Sequence, residues 1–287
     1  MSIEIQPVTD FPCALGEGPL WHPGEQRLYW IDIDGHRLHS WDPSSGGHQT
    51  YDTGCPAGCL GLRRGGGFVL ATKRGFALWD LRGPMQIIAH PEAHKPDARF
   101  NDGAVDAAGR FWAGTYGASF DSALYRLDPG GAIERVLEGV DIPNGIGWDL
   151  QNRTMYFTDS TPRHIYAFDF DLPTGQIANR RVFVDSSDQP GVPDGLAVDA
   201  EGFIWSVRWG GWRIERFDPD GKLERTIQLP VEFPTSCCFG GEQLDDLYIT
   251  SAAGPVASSE RGKQPLAGRV LRVRTGIRGR AEPVFAG

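Results

Sequence analysis

No stretch of the 287 residues approaches the roughly 18 consecutive apolar residues that a membrane span needs. The opening residues, MSIEIQPVTDF, lack the basic and apolar regions of a secretory signal, so a cytoplasmic protein is expected. Basic residues are in deficit, with 28 Lys+Arg against 37 Asp+Glu and a formal net charge of −9. Nucleic acids and anionic membranes both require a basic face and are excluded as expected partners. A neutral or cationic ligand, or a metal ion, is compatible with this balance. Cysteine is scarce and odd in number: Cys13, Cys55, Cys59, Cys237 and Cys238. That fits reduced thiols, and the Cys55/Cys59 pair has no second Cys/His pair at zinc-site spacing, so small buried hydrophobes are expected. Phosphate-loop, HExxH and GxSxG motifs are missing. Sustained 3.6-residue periodicity is also missing, which predicts almost no helix.

Turn formers and aromatic residues are abundant: Gly 38, Pro 21 and Trp 9. They punctuate a repeat. The segments 101–106 (NDGAVD), 143–149 (PNGIGWD) and 193–199 (PDGLAVD) each run from a polar residue through Gly into alternating apolar positions and end in Asp. A turn and a second strand follow each, and then a third strand ending in Pro/Gly. The same phrase opens the chain from Glu17, and weaker copies begin near Cys59 and Thr235. Aligning Gly18, Gly58, Gly103, Gly145, Gly195 and Ser236 gives steps of 40, 45, 42, 50 and 41 residues. A period of roughly 40–50 residues carrying four short strands is that of a propeller, and six copies predict six blades. The whole chain, residues 1–287, is expected to form a single all-β, six-bladed β-propeller domain. Its N-terminal strand, outside the repeat frame, is expected to pair with the last blade and close the ring.

Inner strands of a propeller start at one face, so residues preceding the marker position converge on one channel mouth. They are Glu17, Ala57, Asp102, Asn144, Asp194 and Thr235. Three carboxyl groups and an amide aimed at one volume would repel unless a cation joins them. The all-oxygen set Glu17, Asn144 and Asp194 suits a hard divalent ion such as Ca²⁺, Mg²⁺ or Mn²⁺. Asp106, Asp149 and Asp199 repeat at the opposite strand end and are expected to shape turns. The seven histidines avoid the marker positions and are expected on the surface or in packing. The run Asp32–Ile33–Asp34–Gly35 lacks the later ligands of a calcium loop and is expected to be a turn.

The segments LGEGPLW (15–21), RFNDGAVDAAGRFWAGT (99–115), PNGIGWD (143–149), FDFDLPTGQIANRR (168–181), PDGLAVDAEGFIW (193–205) and PTSCCFGG (234–241) together resemble the SMP-30/gluconolactonase family over nearly the whole chain. The resemblance implies a six-bladed propeller that opens a small sugar (aldono) lactone with the help of one divalent metal. Ca²⁺ is the first expectation, with Zn²⁺, Mn²⁺, Mg²⁺ or Fe²⁺ as alternatives. It places the metal on Glu17, Asn144 and Asp194, makes Asp194 the acid/base catalyst, and adds Arg99 and Asn101 as substrate contacts. Asp102 would lie close by. Regucalcin-like members carry a longer acidic segment after the third blade's GT, with a sugar-contacting Glu. Here that segment is Tyr116–Ser122 without a Glu, and Asp121 is the one acid available in its place. Two other readings stand beside it: a calcium-binding regulatory protein without turnover, served by the same ligands, and a hydrolase of another ester or phosphotriester class on the same fold.

Overall fold

In the computed structural model, which describes residues 3–117 and 121–287, the strands form six four-stranded antiparallel sheets. In the first, Gly16–His22 is innermost, followed by Arg27–Asp32, Arg37–Trp41 and His48–Asp52. The other inner strands are Ala57–Leu62, Arg99–Val105, Pro143–Trp148, Val192–Val198 and Pro234–Gly240. Each inner strand packs beside the next and the sixth beside the first, which closes a ring. The molecule is a six-bladed β-propeller. The sixth blade borrows its outermost strand from the start of the chain: Ile5–Pro7 pairs with Leu271–Arg274, Ile5 opposite Val273 and Pro7 opposite Leu271. Among the described residues the one helical element is the 3₁₀ turn Arg261–Lys263. No helix there is long and apolar enough to cross a membrane.

A sheet with two apolar faces must bury both, and the blades do so against one another. Six apolar clusters result, one per junction. Leu20, Ile31 and Leu70 join blades one and two; Phe76, Phe100 and Phe111 join two and three; Trp112, Trp148 and Phe157 join three and four. Blades four and five meet through Tyr156 and Ile204, five and six through Trp205 and Phe239, and six and one through Tyr248 and Trp30. All five cysteines are buried and free.

The aspartates ending the inner strands shape turns, as their position predicts. Asp106 accepts from the Ala108 and Arg110 backbone N–H groups and from the Trp112 indole at 2.8 Å. Asp199 repeats the pattern with Glu201, Phe203 and the Trp205 indole at 2.9 Å. Asp149 accepts from Arg153 and Thr154.

The last dozen residues leave the repeat and run beneath the ring. The Gly279 N–H donates to Leu244, Arg278 accepts from Ala200, Arg280 donates to Trp148, Ala286 donates to Gly109 and Phe285 to Leu62. The strap thus touches blades two to six. Phe285 is buried within the cluster between blades two and three. Glu282 and Pro283 line small cavities at the channel's far end.

Candidate active site

Every innermost strand is irregular at the marker. Register against its second strand shifts between Glu17 and Leu20, Ala57 and Cys59, Phe100 and Gly103, Asn144 and Ile146, Pro193 and Leu196, and Pro234 and Cys237. Such a bulge inserts a residue, breaks the alternation of side chains and re-aims one of them. The marker glycines allow neighbouring inner strands to approach closely. A Cβ on Gly58 would lie 2.1 Å from the Asn101 carbonyl oxygen, and one on Gly145 2.7 Å from the Leu196 nitrogen.

The result is a cup of about 270 Å³ at the channel mouth, lined by Glu17, Arg99, Asn101, Asn144 and Asp194 among others. All five residues singled out in the sequence therefore meet in one place. Asp102 faces the small cavity below. Its charge nevertheless reaches Glu17 and Asp194. Burial raises the Glu17 carboxyl well above the usual carboxylate range, and Asp194 and Asp102 push it further. Asp194 is raised in the same way by burial and by Asp102. Burial moves Asp102 up to about 6. One backbone N–H supports each: Gly18 to Glu17 at 3.1 Å, Gly103 to Asp102 at 2.7 Å, and Gly195 to Asp194. Arg99 offsets part of this for Glu17 and Asp194, and three carboxyl groups so buried are of the kind a cation would stabilise.

Asn144 is oriented toward the same cup. Its Nδ2 donates to Ser160 Oγ at 2.8 Å, which turns Oδ1 toward the cup. That oxygen accepts from Asn101 Nδ2 at 2.7 Å and retains a second lone pair. Asn101 also donates to the Pro143 carbonyl oxygen and accepts from Arg99 at 2.7 Å. The Arg99 guanidinium lies 5.3 Å from the centre of the Tyr116 ring. Burial lowers its pKa, an effect opposed by Glu17.

Two further aspartates hold the approaches to the cup. Asp32 accepts from the Ala14, Leu15 and Gly35 N–H groups, so the Asp32–Gly35 run is a turn that fixes the chain entering Glu17. Asp159 does the same for Asp141 and Ile142, just ahead of Asn144. Cys13, Asp32 and His39 form a separate buried group whose ligand-type atoms lie within 4.8 Å of one another. Its chemistry is that of packing: Asp32 is occupied by the backbone, burial lifts the Cys13 thiol up to about 12, and burial beside His48 lowers His39 to about 4.

Tyr116, Ser160 and Trp209 also line the cup, and nothing in the repeat marks them. They follow the second strand's last core position, where the blades differ most in residue type. Asp121 does not line it. That side chain is exposed and engages Lys95 at 2.7 Å and Arg135 at 3.6 Å, beside a neighbouring cavity. Ala118–Phe120, the centre of the variable segment, lie outside the described residues.

A six-bladed propeller with an oxygen-rich cup at one mouth defines a class: ring-shaped proteins that gather polar side chains from several blades at one end of the axis. The comparisons narrow it. Residues 15–253 match the SMP-30/gluconolactonase/LRE-like region, and the chain belongs to that family. Regucalcin of Xenopus laevis is 36% identical over 100% of this chain and 99% of its own. A pentonolactonase of Haloferax volcanii is 38% identical over 96% of each. Among solved structures, the calcium-binding protein regucalcin from Agrobacterium tumefaciens superposes with a TM-score of 0.95 at 27% identity, over 99% of this chain and 98% of that one.

Proposed function

We propose that this protein is a metal-dependent lactonase that opens a small sugar lactone to its aldonic acid. The observation that carries the proposal is the convergence of Glu17, Asn144 and Asp194 on one cup with Arg99 and Asn101 beside them. The pentonolactonase relative supports the reaction class. The donor set fits a hard divalent ion: all its atoms are oxygens, two of its groups are carboxyls raised by burial and by neighbouring carboxyls, and the amide is held with Oδ1 inward. When bound there, such an ion would offset the repulsion and supply Lewis-acid stabilisation of the negative charge that builds on the carbonyl oxygen.

The chain's own groups account for the proton and the geometry. Asp194 takes a proton from water as its oxygen adds to the carbonyl carbon, then passes it to the ring oxygen as the ring C–O bond breaks. The product acid ionises. As a ligand of the ion, Asp194 would act as the base through its second carboxylate oxygen. Arg99 donates to the substrate's ring hydroxyls, and the Asn101 amide fixes that guanidinium from below. The cup holds the ring in one orientation and keeps bulk water off most of it.

Metal-stripped protein, assayed on a panel of aldonolactones, is expected to be inactive and to recover on addition of Ca²⁺, Mn²⁺, Zn²⁺ or Mg²⁺. Full turnover by chelated protein that analysis shows to be metal-free would overturn the proposal. Calcium binding with no turnover of any lactone would establish the regulatory reading instead.

A further inference from the structure

The layer just above the oxygen ligands is apolar in every blade. Three positions before each marker stand Leu15, Cys55, Phe100, Ile142, Val192 and Phe233. Phe100 and Cys55 turn into the core. Leu15, Ile142 and Val192 stay half-buried and line the cup. Phe233 packs against Trp209, ring centres 4.9 Å apart, and the Trp209 indole lines the cup as well. Nothing in the fold requires half-exposed apolar side chains around a cup whose floor is charged, and a wall of this kind acts on what enters.

The polar side is narrow by comparison. The Asn101 amide is committed to Pro143, Asn144 and Arg99. Ser160 lies between Asn144 and the Pro193 carbonyl oxygen, donating to it at 2.6 Å. Among the described residues, Arg99 and Tyr116 are the polar groups left to face ring substituents, and both belong to blade three. Ile142, Val192 and Trp209, of blades four and five, offer no donor or acceptor side-chain atom toward the cup apart from the indole N–H. A substrate seated over the floor therefore meets hydrogen-bonding groups on one flank and hydrocarbon on the other.

Building on the lactonase reading, we infer that the cup selects deoxy-sugar lactones: rings hydroxylated toward Arg99 and Tyr116 that present a methyl, not a hydroxymethyl, to Ile142, Val192 and Trp209. A hydroxyl on that flank loses its water and finds the Trp209 indole N–H as its one side-chain partner among the described residues. An apolar pocket rejects an added hydroxyl only moderately, so the discrimination is about tenfold to a hundredfold.

The test is a matched pair: galactono-1,4-lactone and 6-deoxygalactono-1,4-lactone of the same configuration, assayed with metal-loaded protein. The corresponding lactams, which resist hydrolysis, are titrated calorimetrically alongside. The deoxy compound is expected to have at least a tenfold higher kcat/KM and its lactam a similarly lower Kd. Val192→Thr and Ile142→Thr are expected to shrink the ratio to below about threefold. A ratio measured on one preparation does not depend on how much of it is folded. Equal or better handling of the hydroxylated pair, or an unchanged ratio in both variants, would overturn the inference. Preferential binding of the deoxy lactam with no turnover of either lactone would leave the inference standing and sink the lactonase reading. Binding of neither lactam would overturn both.

Discussion

Asp102 has little support for its charge. It faces a small cavity, accepts one backbone N–H and sits within reach of two other carboxyls. Its pKa is about 6 in the folded chain and about 4 when unfolded. Below pH 4 both states hold the proton and no penalty exists. Between pH 4 and 6 the unfolded chain releases it and the native chain does not, so stability falls as pH rises, by on the order of 2–3 kcal/mol in all. In EDTA, Asp102→Asn is expected to lose this component, and above pH 6 its Tm should exceed that of the chelated wild type. Melting curves between pH 4 and 8 decide it; identical slopes for the two proteins would refute the assignment. Arg99 acts at the same scale but on ligand. Arg99→Ala is expected to raise KM for polyhydroxylated lactones about ten- to a hundredfold, the size of one charge-assisted hydrogen bond, while calorimetry shows metal affinity retained.

At the level of the strand, the bulge explains why a turn-like dipeptide carries chemistry. Glu–Gly, Asn–Gly and Asp–Gly are ordinary turn sequences, yet here they lie inside strands, where the shifted register sends the polar side chain into the channel. Gly58 tests this architecture. Its added Cβ would meet backbone at the Asn101 carbonyl. Gly58→Ala should therefore destabilise by about 1–3 kcal/mol and, by displacing Asn101, raise KM; chemical denaturation and steady-state kinetics measure the two effects. The marker residues were legible in the sequence because the bulge recurs at a constant place in every copy. Tyr116, Ser160 and Trp209 were not, because the second strands end differently: Asp32 and Asp159 clamp backbone where Arg208 stands in blade five. Asp121, the acid available in place of a sugar-contacting Glu, engages Lys95 and Arg135 and does not line the cup.

Over the whole molecule, the repeat foretold the number of blades and left the C-terminal strap unannounced. The strap's residues follow no period, so only contact with the finished ring gives them a structure. Phe285 is its anchor, fully buried in the junction of blades two and three. Phe285→Ala should cost about 3–5 kcal/mol, read as a lower midpoint of denaturation with an unchanged slope. The strap also makes the two ends of the channel unequal. Glu282 and Pro283 occupy the far end, and the cup opens at the other. With the strap across the far end, the proposed lactonase would use the cup's mouth for both entry and exit. The newly formed anion and the next neutral ring would then compete for one threshold, and a lingering product would block its own successor.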